Sequence, residues 1–201
     1  HAAGLERLVG STYRGVSGTG NKAIAELEDQ SSQVLAGEPI DDPKVYPHRI
    51  AFNVIPQVET FKDGDDYTTE ERKVMAETRK ILGFGDEVGI SATCARVPVV
   101  SGHSESINIQ TREDLSPDRA REILGQVSGV IVVDDPSNGE YPMAIDGAGR
   151  DEVLVGRIRR DPSHERCLNL WLVGDNLRKG AATNAVQVAE VLIENDWLTQ
   201  S

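Results

Sequence analysis

Ile90-Ser91-Ala92-Thr93-Cys94-Ala95-Arg96-Val97-Pro98-Val99-Val100-Ser101-Gly102-His103-Ser104-Glu105-Ser106-Ile107-Asn108-Ile109-Gln110 is rich in β-branched residues and partly alternates apolar with polar positions. The pattern predicts two strands, Ile90 to Val100 and Glu105 to Gln110, meeting at a hairpin-like corner of Ser101-Gly102-His103. The same stretch holds two side chains with chemistry to offer. The His103 imidazole can give or take a proton near neutral pH, as a general acid/base must, although a loop histidine also serves as an ordinary hydrogen-bonded surface residue. Arg96 presents a planar fork suited to a carboxylate or phosphate from an otherwise apolar strand, and an edge-strand salt bridge fits it equally. Their odd separation would point them to opposite faces of one unbroken strand, so a shared site requires the corner to bend the chain.

Upstream, Thr68 and Glu71 form a capping-box pattern, followed by an apolar stripe of Val74, Thr78, Ile81 and Leu82 that stops at Gly83. Glu70 and Lys73 share a face in the first turn of that helix, where anions are favoured; an exposed ion pair is the plainer reading. An earlier helix follows Gly18-Thr19-Gly20-Asn21, with Ile24, Leu27, Ser31 and Val34 at helical spacing. Gly18 and Gly20 would let backbone amides approach an anionic ligand, but they depart from the dinucleotide fingerprint and no second βαβ unit follows.

Downstream, Ser116-Pro117 starts a helix with Ala120, Ile123, Leu124 and Val127 facing inward, and Val130 to Val133 is a short strand. Val153 to Arg159 and Cys167 to Val173 alternate as antiparallel strands around Asp161-Pro162-Ser163-His164. A last helix, about Lys179 to Glu194, carries enough apolar positions to be buried on more than one side. On Cys167 to Val173 one face holds Leu168, Leu170 and Leu172 and the other Trp171 and Val173, so both need cover: helices can pack one, and the second would expose a large apolar patch unless another sheet or another chain meets it. The fold class expected is α+β, a mixed and largely antiparallel sheet with helices packed on one face.

The 201 residues, 38% hydrophobic, suffice for a single globular unit. Lys+Arg 21 against Asp+Glu 33 gives a net charge of -12, which repels nucleic acid and anionic membrane surfaces. Cys94 and Cys167 are too few for a disulfide framework and have no metal-ligand spacing around them, so no metal and a reducing cytoplasm are expected. Cys94 reads as a small buried hydrophobe despite the nearby His103. The start at His1 lacks a signal-peptide pattern and reads as a segment of a longer product.

Five segments together resemble the bacterial aspartate-semialdehyde dehydrogenase family: Ser11 to Gly20, Ile50 to Gln57, the Glu70 to Leu82 helix, Arg96 to Ser104, and Gly174-Asp175-Asn176-Leu177-Arg178-Lys179-Gly180-Ala181-Ala182. The resemblance implies the carboxy-terminal domain of a glyceraldehyde-3-phosphate dehydrogenase-like enzyme, a substrate-binding and dimerisation domain spanning residues 1–201 that forms a homodimer through its mixed sheet. It implies reversible reductive dephosphorylation of L-aspartyl 4-phosphate through a cysteine-bound acyl group, with NADP as cofactor. It makes His103 the acid/base, Arg96 the grip on the substrate carboxylate, Glu70 the partner of the amino group and Lys73 the phosphate ligand. Asn176, Ser17 and Gly18 fall near the cofactor. The family's amino-terminal NADP-binding domain and Asn-Cys dipeptide have no counterpart in these residues, so the chain alone is expected to be inactive. Arg14 stands where the family usually has glutamine, and either binds phosphate differently, disables the site or turns away from it. With the missing cysteine, Arg14 supports the alternative of a non-catalytic relative that dimerises or binds a metabolite.

Overall fold

A computed structural model describes residues 2–197. Its centre is a six-stranded sheet in the order β2-β1-β3-β6-β5-β4, built from β1 (Leu5–Arg14), β2 (Gly89–Arg96), β3 (His103–Thr111), β4 (Val130–Val132), β5 (Val153–Arg160) and β6 (Cys167–Gly174). β1 is parallel to β2 and β4 to β5; the β1–β3, β3–β6 and β5–β6 pairs are antiparallel. The sheet is mixed and largely antiparallel, as expected.

The expected hairpin does not form. β2 and β3 lie on opposite sides of β1, and the residues between them cross its end. The carbonyls of Val99, Val100 and Gly102 accept from the amides of Val16, Ser17 and Gly15 at 2.8, 3.0 and 3.2 Å. Pro98 has no N–H to extend a ladder, so the crossing segment offers its carbonyls to the chain leaving β1. A Cβ on Gly15 would lie 2.7 Å from the Gly102 oxygen and 2.8 Å from that of Val99, so only glycine lets these backbones meet.

Leu8 pairs with Ile109, and Ile109 with Leu168, which places their side chains on one face. There Val74 and Met75 of α2 (Thr69–Leu82) pack on Leu5, Leu8, Val88, Ile90 and Ala92. Ala120 and Leu124 of α3 (Pro117–Gly125) pack on Val155, Leu168, Leu170 and Ile109. The two helices flank that face and leave between them an apolar groove of about 400 Å³ whose floor includes Leu5, Leu8, Ile109 and Leu170. Each starts at a capping side chain: Thr68 with Glu71 completes the predicted capping box, and Ser116 accepts from the Arg119 amide.

The buried faces differ from the apolar stripes. α1 (Asn21–Ala36) buries Ala23, Leu27 and Gln30, while Ser31 and Val34 stay half-exposed. Gln30 belongs inside because its Oε1 accepts from the Ile50 and Ala51 amides at 3.0 and 3.3 Å. α2 buries Glu70, Glu71 and Met75, and its expected contacts Ile81 and Leu82 are 79% and 41% exposed. Val127 lies beyond the end of α3 and is exposed.

One expectation about apolar cover is corrected. The last helix comprises a π-helical turn, Arg178–Ala182, and α5 (Thr183–Glu194), and among the described residues nothing buries it: Val186, Val188, Val191 and Ile193 are exposed. Apolar content had suggested burial on several sides, but the sheet and its flanking helices close without this helix. On the other sheet face, the 142–147 segment covers part of the apolar surface, while Tyr141, Met143 and Ile145 of that neighbourhood are themselves exposed. Val173 is fully buried against Gly147 of α4 (Ala144–Gly147), and the Trp171 indole N–H donates to the Pro142 carbonyl at 3.1 Å. Ser11, Ser91, Thr93, Ser106 and Asn108 occupy the same face by register.

Among the described residues no helix is long and apolar enough to cross a membrane, and no cluster of His, Cys, Asp and Glu could hold a metal ion.

Candidate functional site

Strand register assembles the site. Arg14 of β1 pairs with Arg96 of β2 on one side and with His103 of β3 on the other, so the three side chains form a row on the helix-bearing face. The odd separation of Arg96 and His103 is resolved by their standing on different strands either side of β1. They line one cleft of about 600 Å³ with Gly18, Glu70 and Lys73.

Glu70, buried in the first turn of α2, receives the Arg14 guanidinium at 2.6 Å and the Lys73 ammonium at 3.7 Å. Arg14 therefore points into the cleft, and its Nε also donates to Thr12 Oγ1 at 3.2 Å. Arg96 is buried, donates from Nη1 to the Gly15 carbonyl at 2.7 Å, and lies 5.7 Å from the Tyr46 ring. Its buried Nε–H has no acceptor among the described residues. A desolvated guanidinium with a spare donor suits an incoming carboxylate.

The His103 Nδ1 accepts from the Gly15 amide at 3.2 Å, which leaves the neutral ring's proton on Nε2. Burial, reinforced by the charges of Arg14 and Arg96 and opposed by the Gly102 carbonyl and Asp175, pushes its pKa down to about 4. Asn176 Oδ1 accepts from the Gly102 amide at 2.9 Å, and its Nδ2 donates to Ser17 Oγ at 3.1 Å. A Cβ on Gly18 would sit 3.4 Å from Asn176 Nδ2 and 3.8 Å from His103 Nε2, filling the space beside the imidazole. Asn176, Ser17 and Gly18 thus gather at His103, next to a second cavity of about 270 Å³ lined in part by His103, Glu105, Asn176 and Lys179.

The family model described as semialdehyde dehydrogenase, dimerisation domain, matches residues 1–179. The chain belongs to the semialdehyde dehydrogenase family. Within it, the chain is 51% identical over 192 residues to an aspartate-semialdehyde dehydrogenase of Aquifex aeolicus, covering 96% of this chain and 56% of that protein. It is 50% identical over 192 residues to one from Legionella pneumophila, covering 95% and 54%. The crystal structure of aspartate semialdehyde dehydrogenase II from Vibrio cholerae superposes with a TM-score of 0.90 at 42% identity, covering 96% of this chain and 56% of that one. The chain thus spans little more than half the length of these relatives and is similar to their carboxy-terminal portion, with a glyceraldehyde-3-phosphate dehydrogenase-like fold.

Several residues of this semialdehyde dehydrogenase cleft carried no signal in the sequence. Tyr46, Gln57 and Glu59 enter from the irregular stretch before α2. Glu59 Oε2 accepts from Thr69 Oγ1 at 2.7 Å, and that bond, with Lys73 and Arg14 nearby, holds its carboxyl below the usual range. Glu105 lies on the same face as His103, and burial pushes its carboxyl up. Glu71 joins α2 to the sheet, accepting from the buried amides of Thr68 and Cys94 at 2.8 Å each. The Cys94 thiol is fully buried and pushed up by that burial, in keeping with a small hydrophobe.

Proposed function

We propose that this chain is the carboxy-terminal, substrate-binding and dimerisation portion of an NADP-dependent aspartate-semialdehyde dehydrogenase interconverting L-aspartyl 4-phosphate with L-aspartate 4-semialdehyde and phosphate. The observation that carries this reading is the convergence of Arg96, Lys73, Glu70 and His103 on one cleft in a chain of this family. A related Vibrio cholerae enzyme is described as complexed with ASA.

Arg96 offers its unpaired Nε–H to the substrate carboxylate, Glu70 takes the ammonium group, and Lys73 takes the phosphate at the start of α2. His103 rests neutral with Nε2–H available. An anionic substrate offsets the fields of Arg14 and Arg96, moving the imidazole back towards the range in which it can transfer a proton. The small cradle of Gly18, Ser17 and Asn176 fits the flat reacting end of the cofactor, because a single added Cβ would occupy it. Bound beside these residues, NADPH would supply the hydride. The nucleophilic thiol belongs to a preceding portion of the protein, since Cys94 is inert and faces no cavity of the cleft. The acidic chain and the dimerisation-domain match support a cytoplasmic homodimer without nucleic-acid or membrane partners.

The test is phosphate-dependent NADP reduction by the full-length gene product supplied with L-aspartate 4-semialdehyde. Turnover is expected, with His103→Ala lowering kcat roughly 100- to 10,000-fold and the 201-residue chain alone inactive. A full-length protein without turnover, or a His103→Ala variant with unchanged kcat, overturns the assignment.

A further inference from the structure

Arg14 stands where the charges of the cleft meet. By register it lies between Arg96 and His103. Its Nε donates to the buried Thr12 Oγ1 at 3.2 Å, which fixes the stem and leaves the outer nitrogens of the fork to reach across to α2. There Nη1 meets one oxygen of Glu70 at 2.6 Å, and the Lys73 ammonium approaches the other at 3.7 Å. Both oxygens of the carboxylate assigned to the substrate's ammonium are therefore engaged by the protein's own cations.

The Glu70 side chain is only 6% exposed. Stripping a buried carboxylate of its cations without replacement leaves an uncompensated charge, which is strongly unfavourable. Phosphate entering the cleft draws on those same cations. Taking Arg14 and Lys73 together would leave Glu70 bare beside a second carboxylate, Glu59, whose charge the Thr69 hydroxyl, Lys73 and Arg14 also hold. An ammonium group seated on Glu70 removes the obstacle, because it replaces one cation by another and releases the guanidinium without loss of pairing. Apart from neutral His103, the charged side chains lining the cleft are the cations Arg14, Lys73 and Arg96 and the carboxylates Glu59 and Glu70. Arg96 has its place at the substrate carboxylate, so Arg14 is the cation left to join Lys73. Its planar fork suits a phosphate better than a point charge does.

We propose that Arg14 is a phosphate ligand that changes partners: the substrate's ammonium displaces it from Glu70, and the freed guanidinium joins Lys73 on the phosphate. This rests on the reading of the cleft as an aspartate-semialdehyde site. Its consequence is specificity. The amino group, which takes no part in the chemistry, sets the affinity for phosphate, and an aldehyde lacking it meets Arg14 still locked on Glu70.

Phosphate-dependent NADP reduction by the full-length protein, with L-aspartate 4-semialdehyde and with 4-oxobutanoate, the same aldehyde without its amino group, tests the exchange. No turnover of L-aspartate 4-semialdehyde by wild type would remove the functional reading itself; with that turnover in hand, the variants decide the exchange. Arg14→Gln should raise the KM for phosphate about tenfold, the loss of one charge-assisted bond, and leave the KM for L-aspartate 4-semialdehyde unchanged or lower. Glu70→Gln cannot hold Arg14 in an ion pair. It should raise the KM for L-aspartate 4-semialdehyde, yet turn over 4-oxobutanoate with a kcat/KM about tenfold above that of wild type. Should Glu70→Gln fail to fold, the split between the two KM values of Arg14→Gln decides alone. The proposal is overturned if Arg14→Gln leaves the KM for phosphate unchanged or raises that for the aldehyde by as much, the mark of an ion pair that merely supports Glu70, or if a folded Glu70→Gln is no better than wild type on 4-oxobutanoate.

Discussion

Replacing Glu71 by alanine should damage both the fold and the cleft. Its carboxylate accepts from the Thr68 amide on Oε2 and from the Cys94 amide on Oε1, each at 2.8 Å, and both residues are fully buried. The substitution leaves two buried donors unsatisfied, at about 1–3 kcal/mol apiece, and removes half of the capping box. A loss of about 2–5 kcal/mol follows. Glu71→Gln fills the same volume but has one acceptor oxygen, so it should lose roughly half as much. Urea unfolding of the full-length protein would show the midpoint falling with the slope unchanged. Glu71 also ties the turn holding Glu70 and Lys73 to the strand that ends at Arg96, so the KM for phosphate should rise in parallel. A loss below about 1 kcal/mol in Glu71→Ala would refute the reasoning, because buried donors left unpaired cannot be that cheap.

His103 has a folded pKa of about 4 against an ordinary 6.5, so between these values the unfolded chain binds the extra proton; stability should fall by about 3 kcal/mol as pH drops through that window. His103→Gln should remove that component of the pH profile, and an unchanged slope would contradict the burial. Arg14→Gln removes a cation from beside the imidazole and strips Glu70 of its 2.6 Å partner, so the His103 pKa followed by NMR should rise; a fall or no change would show that Arg14 does not act on it. Gly156→Ala places a Cβ 2.0 Å from the Val133 oxygen and 2.6 Å from Pro142 Cδ, and should lower Tm sharply in a circular-dichroism melt, whereas a wild-type melt would show that the 133–142 segment can shift.

Period and capping revealed the helices at 21–36, 69–82 and 117–125 and every strand from β2 onwards, because those signals are local. Pairing order is not local. Val99, Val100 and Gly102 offer their carbonyls to residues more than eighty positions away, and nothing in Ser101-Gly102-His103 distinguishes that crossing from a hairpin. Arg96, His103, Glu70 and Lys73, which the fold brings to one cleft, could be singled out as candidates because their side chains have chemistry of their own and the surrounding segments resemble a family. Gln30, and the reach of Glu71 beyond its capping box to the Cys94 amide, were hidden by the rule that polar means outside, which fails wherever backbone donors wait for an acceptor. Glu59 and Tyr46 sit in irregular chain, where spacing carries no information about direction. α5 misled for the opposite reason, since apolar composition states a need for cover without saying where the cover is.

The bond from the Gly15 amide to His103 Nδ1 makes that amide a reporter. Its nitrogen feels whether the ring accepts a hydrogen bond or carries a proton of its own, yet glycine has no side chain to touch a ligand. The same N–H also faces the Gly102 carbonyl at 3.2 Å, so when the imidazole takes up a proton the amide can shift its weight from one acceptor to the other without breaking the crossing. A single labelled glycine peak, moving with pH and again on substrate addition, would read out the proton inventory of the cleft from outside it.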